Sequence, residues 1–145
     1  SKGTIDITEL GYEKSSAKLM PKGSVLFSSR APIGYITIAK NEICTNQGFK
    51  SAVPKKAGTA FVYYLLKNKT IEIENMATGS TFKEASGTLM KNLKIIIPLD
   101  KVLDDFEKIM MPIFEFQMSV EEQNDRLASL RDTLLPRLMS GELKV

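Results

Sequence analysis

Short alternating runs of apolar and polar residues occupy roughly the first hundred positions of the chain. VLFSS has the composition of a strand, YITIA alternates as a strand does, and the RAPIG segment between them predicts a turn through Pro32 and Gly34. In all, the pattern predicts short strands at residues 25–29, 35–39, 42–45, 49–53 and 94–97. Helical spacing predicts one helix over 59–69 and a short one that begins near Ser86. We therefore expect an α+β fold with a mixed α/β body.

From Asp100 onward the period changes to that of one long helix. Apolar residues recur at alternating steps of three and four, which is the spacing of a coiled-coil stripe. A continuous helix over 100–138 would be about 58 Å long, more than a small domain can cover, so we expect it to pair with another helix. The predicted pairing positions are Leu103, Phe106, Met110, Ile113, Val120, Asn124, Leu127, Leu134 and Leu138.

Polar and proline residues interrupt this stripe. Gln117, Asn124 and Arg131 lie on it, and Asn124 either fixes the register of pairing or marks a hydrated stretch of the interface. Pro112 either kinks one helix or starts a second, and we favour the kink. Pro136 is expected to stop or bend the helix after Leu135, with Gly141 as a left-handed cap after a last turn.

Charge is distributed unevenly between the two parts of the chain. Residues 1–99 contain 14 Lys or Arg and 7 Asp or Glu, a balance of +7, whereas residues 100–145 contain 6 and 10, a balance of −4. A basic body attracts polyanions and an acidic helix repels them, so the two parts are expected to have different binding partners. A chance imbalance on a solvated surface is the alternative.

The sequence contains no catalytic or metal-binding constellation. It has no histidine, and its one cysteine, Cys44, is interpreted as a small buried apolar residue and not as a nucleophile. We therefore predict a non-enzymatic protein without cofactor or metal. A single cysteine and short apolar runs favour a soluble protein of a reducing cytoplasm, with no signal peptide and no membrane span.

Turns rich in basic, amide and hydroxyl side chains are the candidate binding sites. Arginine can bind guanine with two hydrogen bonds and asparagine or glutamine can bind adenine, while serine, threonine and lysine bind phosphates. On this basis the predicted DNA contacts are Ser29, Arg30, Asn46, Gln47, Lys50, Ser80, Thr81 and Lys83. The alternative is that the amide side chains bond the local backbone, as they often do in turns.

The closing segment LRDTLLPRLMSGELKV resembles that of the specificity (S) subunits of Type I restriction-modification systems. Four further segments fit the resemblance in order: GSVLFSSRAPIGYITI, TNQGFKSAV, ATGSTFKEASGTLMKNLKIIIP and VLDDFEKIMMPIFEFQ. The resemblance implies that residues 1–98 form a target recognition domain that reads one half of a bipartite double-stranded DNA sequence. It implies that residues 99–145 are the conserved helical region, which spaces the recognition domains and binds methyltransferase (M) and restriction (R) subunits.

The chain departs from the family pattern because it has one recognition domain and one helical region where S subunits usually have two of each. We therefore expect either a half-sized S subunit or a fragment lacking the first part of its recognition domain, which dimerises through antiparallel C-terminal helices. Methylation with S-adenosylmethionine and translocation with ATP would belong to partner subunits. The alternatives are a coiled-coil adaptor without nucleic-acid binding and a recognition domain from a fused restriction-methylation enzyme.

Overall fold

The protein is described by a computed structural model that covers residues 6–79 and 83–142. The regular elements in these ranges confirm the α+β class. They are α1 (Glu9–Glu13), β1 (Val25–Ser29), β2 (Ile33–Ile38), α2 (Thr59–Met76), α3 (Gly87–Lys91) and α4 (Asp100–Met139). The chain divides into two compact units, Ser1–Glu107 and Lys108–Val145, so the division falls within α4.

β1 and β2 form an antiparallel hairpin at the centre of the first unit. Val25 pairs with Ile38 and Phe27 with Ile36, and the register shifts after Phe27 so that Ser29 pairs with Ile33. All five residues of β1 are buried. A strand enclosed in this way has little reason to alternate between apolar and exposed polar residues, which explains why VLFSS does not.

The other edge of β1 binds the segment that was predicted as a strand at 49–53. This segment meets β1 through isolated bridges, Ser28 with Phe49 and Val25 with Ala52, and does not form a regular strand. The predicted strand at 42–45 is likewise reduced to one bridge between Met20 and Ile43. The prediction of a strand at 94–97 is wrong, because this stretch has no regular secondary structure and its three isoleucines are exposed.

Helix α2 packs on the hairpin and supplies two of the five buried residues of the core cluster. Leu66 and Ile73, one heptad apart on the same face of α2, are buried against Val25, Phe27 and Ala85. The helix therefore extends to Met76, seven residues beyond the predicted end at 69, because Ile73 is fully buried and holds the next two turns in place. Among shorter helices, α3 begins directly after Ser86, as predicted, whereas α1 was not predicted.

Helix α4 is continuous through both of its prolines. It runs through Pro112 without starting a second helix, and it does not stop at Leu135 but continues through Pro136 to Met139. The N–H of Ser140 donates to the Pro136 carbonyl (2.9 Å), and Gly141 follows with φ of 74°, which is the expected left-handed cap. Within the described ranges, no helix combines the length and apolar character needed to cross a membrane.

Candidate nucleic-acid interface

Three segments that carry the predicted DNA contacts meet at the end of β1. The backbone N–H of Ser29 donates to the Gly48 carbonyl (2.7 Å), and the Ser29 hydroxyl donates to the same oxygen (3.0 Å). On the other side, the Ala85 N–H donates to the Ser29 carbonyl (2.9 Å). The loop of TNQGFK and the segment around Lys83 are therefore held on opposite sides of one residue.

Ser29 itself is fully buried, so its role in the site is to position other groups. Its N–H, hydroxyl and carbonyl are all engaged within the protein, which leaves its side chain no path to a phosphate. The sequence did not indicate this burial, because a serine at a strand end is usually exposed. Burial of β1 on both faces is the physical reason.

Arg30 is the next residue along the chain and is exposed. Its backbone pairs with Glu84, and its side chain passes close to Gly48, where a methyl group added to the glycine would lie 3.4 Å from the Arg30 Nε. Ala31 follows with φ of 50°, a left-handed conformation that residues with a side chain seldom adopt. No hydrogen bond or ion pair to the Arg30 guanidinium is found within 6–79 and 83–142, so the group can bind an external acceptor.

Asn46 and Gln47 are exposed on the same loop, beside Arg30. The Asn46 Oδ1 accepts a hydrogen bond from the Gly48 N–H (2.9 Å), so this oxygen makes the local backbone contact that was the alternative to DNA binding. That contact fixes the direction of the carboxamide and leaves its NH₂ group as a donor. Gln47 bonds through its backbone carbonyl, to Lys50 Nζ (3.1 Å), and its side chain remains exposed.

Lys50 and Lys83 complete the described basic groups of the site. The Lys50 Nζ lies 3.3 Å from the Glu84 Oε1, and both side chains are partly exposed. Lys83 is exposed and directly precedes Glu84 in the chain. With Arg30, the site thus has three cationic groups and one carboxylate. Ser80 and Thr81, the remaining predicted contacts, lie outside the described residues.

An open groove of about 970 Å³ adjoins this surface. Asn46 and Gln47 line it from one side, and the segment from Ser15 to Met20, which includes Lys18, lines it from another. Ser51 also lines the groove, and its buried hydroxyl has no hydrogen-bond partner among residues 6–79 and 83–142. The amide side chains thus stand at the edge of a concave surface, which is where a ligand can contact them from several directions.

The predicted pairing positions of α4 have different environments. In the first unit, Leu103 is buried and Phe106 packs edge-on against Tyr64, with ring centroids 5.9 Å apart. In the second unit, Met110 is half-buried, whereas the following positions are exposed: Ile113, Val120, Asn124, Leu127, Leu134 and Leu138.

Sequence reasoning missed three apolar residues that are exposed beside the predicted stripe. They are Ile109, Phe116 and Leu130, with exposures of 64%, 72% and 47%. Each lies three residues after a predicted position or four before one, so the same alternation of three and four contains them. The predicted stripe steps four residues from Ile113 and from Leu127, to polar residues. A step of three residues from the same two positions leads to Phe116 and Leu130.

Within 6–79 and 83–142, no three His, Cys, Asp or Glu side chains are grouped as metal ligands. Cys44 is half-buried and lines the open groove. The candidate site is therefore built from guanidinium, ammonium, amide and backbone groups, which suit hydrogen bonding to nucleic acid.

Comparisons with known proteins identify the family of this chain. A family model described as the Type I restriction modification DNA specificity domain matches residues 2–119. The Type I restriction enzyme MjaIX specificity subunit of Methanocaldococcus jannaschii is 35% identical over 133 residues, which cover 90% of this chain and 31% of that protein. The Type I restriction enzyme HindI specificity subunit of Haemophilus influenzae is 29% identical over 144 residues, covering 97% of this chain and 31% of that protein.

The chain thus spans about a third of the length of the curated relatives it matches. The family match nevertheless includes the hairpin, the polar loop at 46–50, helix α2 and the first half of α4. On this match, the chain belongs to the Type I restriction modification DNA specificity domain family.

Proposed function

We propose that this chain is the DNA-recognition part of a Type I restriction-modification specificity subunit, and that it reads one half of a bipartite double-stranded target. The observation that carries the proposal is the meeting of three polar segments at Ser29 in a member of a DNA specificity family. The protein is non-catalytic in this proposal and works in the cytoplasm. Methylation and cleavage belong to the M and R subunits that it assembles.

The exposed groups of the site have distinct roles in this proposal. Arg30 and Gln47, whose side chains are exposed, read base edges in the major groove, where Arg suits guanine and Gln suits adenine. The Asn46 NH₂ is a further donor, aimed by the bond between its Oδ1 and Gly48. Lys83 and Lys50 bind phosphate, and Lys50 must exchange Glu84 for the DNA backbone. Ser29 holds the three segments together.

The two parts of the chain have different roles in the proposed function. Residues 1–98 form the target recognition domain, and residues 99–145 form the helical region that pairs with a second copy and binds M subunits. The charge balances of +7 and −4 support this division, because the basic part suits phosphate and the acidic part suits protein. The exposed apolar stripe of α4 supports self-pairing through antiparallel helices.

DNA selection tests the proposal without knowledge of the target. The full chain is incubated with a random-sequence duplex library, bound duplexes are amplified over several rounds, and affinity for the enriched sequence is measured at several salt concentrations. We expect one short half-site to be enriched, and affinity to fall as salt rises because counterions are released from neutralised phosphates. Arg30→Ala should weaken binding, whereas Lys56→Ala, which removes an exposed lysine outside the site, should leave selection unchanged.

Two results would contradict the proposal. A protein that enriches no sequence and binds duplex no better than a neutral polymer would favour the coiled-coil adaptor. Enrichment that survives Arg30→Ala and Gln47→Ala together would show that another surface reads the DNA.

A further inference from the structure

Tyr35 is the one exposed residue of β2, and its exposure is 70%. It lies at an irregularity of the hairpin, where Gly34 and Tyr35 of β2 together face the single residue Ser28 of β1. This arrangement is a β-bulge, and Gly34 has the positive φ (99°) that the first residue of such bulges often adopts. Because bulges change the direction of side chains, this one determines where the Tyr35 ring lies.

The buried hydroxyl of Ser28 holds the backbone of the bulge in place. The Tyr35 N–H donates to the Ser28 Oγ (2.8 Å), and the same hydroxyl donates to the Pro32 carbonyl (2.7 Å). A bulge interrupts the ladder of the strands, so Ser28 supplies an acceptor that the ladder does not provide. The backbone of Tyr35 is therefore fixed although its ring is in solvent.

Tyr35 lies on the same face of the hairpin as the candidate interface. Side chains two residues apart lie on the same face of a strand. Thr37, two residues after Tyr35, lines the open groove together with the loop at 46–47. On the other strand, Arg30 comes two residues after Ser28, the residue that Tyr35 faces. The ring thus extends the surface of the polar loop across the hairpin, on the side of Arg30.

An exposed ring on a fixed backbone suits an apolar contact in a binding interface. A tyrosine has few rotatable bonds, so it buries a large area at a small cost in conformational entropy. Within 6–79 and 83–142, no hydrogen bond to the Tyr35 hydroxyl is found, so no internal bond ties the ring down. The apolar group that base edges present in the major groove is the 5-methyl group of thymine.

We propose that the Tyr35 ring packs against the 5-methyl group of a thymine near the base that Arg30 reads. Diagonal neighbours across paired strands have Cβ atoms about 7–8 Å apart, which corresponds to about two base-pair steps of about 3.4 Å. The inference rests on the proposed function, and it adds a base contact that involves no hydrogen bond.

Replacement of thymine by uracil tests this contact in the unaltered protein. Each thymine of the duplex selected from the random library is replaced in turn by uracil, which lacks only the methyl group. Fluorescence anisotropy measures the affinity of the full chain for each duplex. We expect uracil at one position to lower the affinity about fourfold, since one methyl group is no longer buried. That position should lie about two base pairs from the one at which Arg30→Ala relaxes selection.

Variants of Tyr35 connect the effect to the ring. Tyr35→Ala should lower the affinity for the thymine duplex by at least about fourfold and remove the difference between thymine and uracil. Tyr35→Phe keeps the ring and should preserve both the affinity and the difference. Tyr12→Ala, which removes an exposed tyrosine of α1, is the matched control and should change the affinity by less than about twofold. Circular dichroism of each variant checks that the fold is retained.

Three results would overturn the methyl contact and leave the proposed function intact, provided that Arg30-dependent selection is observed. They are a selected half-site without thymine, uracil without effect at every position, and a uracil effect that persists in Tyr35→Ala. Equal weakening of all duplexes by Tyr35→Phe, without a uracil effect, would assign the hydroxyl to a phosphate and would likewise overturn the inference. A library that yields no enriched sequence would overturn the proposed function, and this inference with it.

Discussion

The carboxylate of Glu107 in α4 accepts a hydrogen bond from the backbone N–H of Thr59, the first residue of α2, at 2.8 Å. Its second oxygen accepts from the N–H of Ala60 at 2.9 Å. The N-terminal cap position of α2 is Gly58, which has no side chain to bond these groups. Glu107, which lies 48 residues after Thr59, therefore caps the N-terminus of α2 and joins this helix to the start of α4.

We expect Glu107→Ala to lower the free energy of unfolding of the first unit by about 1–2 kcal/mol, because two helix N–H groups lose their acceptor. The measurement is urea denaturation followed by circular dichroism. Glu115→Ala is the matched control, since Glu115 is exposed on α4, and it should change stability by less than about 0.5 kcal/mol. Equal losses for the two variants would show that the cap does not contribute.

Gly48→Ala should weaken DNA binding more than it weakens the fold. An added methyl group would lie 3.0 Å from the Asn46 Oδ1, which must give by a few tenths of an ångström, and at contact distance, 3.4 Å, from the Arg30 Nε. We expect affinity for the selected duplex to fall by about 1 kcal/mol, roughly fivefold. Gly87→Ala is the control, because a methyl group there meets nothing within 4 Å. Fluorescence anisotropy measures both, and identical affinities would exclude Gly48 from the interface.

Elements with strong local signals could be predicted from the sequence, whereas those set by distant contacts could not. The hairpin of β1 and β2 follows from the alternation of YITIA and the turn residues before it, and α3 follows from Ser86, whose hydroxyl accepts the Leu89 N–H. The end of α2 depends on burial of Ile73, and its beginning on Glu107. Three adjacent isoleucines at 95–97 favour a strand locally, but the described fold provides no neighbouring strand for them.

The sequence predicts which segments form the candidate site, but it does not predict how these segments contact one another. Side-chain chemistry predicts the segments around Arg30, Asn46 and Lys83 as binding segments, and the structure brings them together. The burial of Ser29 and the ion pair between Lys50 and Glu84 could not be anticipated, because each joins residues that are distant in sequence.

Ser29→Ala tests whether the Ser29 hydroxyl positions the neighbouring loop or contacts DNA itself. Loss of the hydroxyl leaves the Gly48 carbonyl with the Ser29 N–H alone, so we expect unfolding to become easier by about 1 kcal/mol. The affinity of the folded protein for the selected duplex should fall less than in Arg30→Ala. Ser16→Ala, at an exposed position, is the control for stability. A loss of affinity as large as that of Arg30→Ala would mean that the Ser29 hydroxyl reaches DNA.

Glu84→Gln should strengthen DNA binding. The substitution removes the one carboxylate described at the site and releases Lys50 for phosphate, so affinity at low salt should rise several-fold and its salt dependence should steepen. Stability should change by less than about 1 kcal/mol, because the pair is partly exposed. Glu74→Gln is the control for the change in net charge. Equal gains in both variants would indicate a general charge effect and not release of Lys50.

Gly34→Ala should destabilise the contact between β2 and α2 by two separable effects. Gly34 has φ of 99°, which disfavours any side chain, and a methyl group there would overlap the Cγ2 of Thr70. We expect a loss of about 2–4 kcal/mol, measured by urea denaturation. Thr70→Ser removes Cγ2 and keeps the hydroxyl that donates to the Leu66 carbonyl, so the double variant should retain only the backbone cost of about 1–2 kcal/mol. Purely additive losses would show that Thr70 does not restrict Gly34.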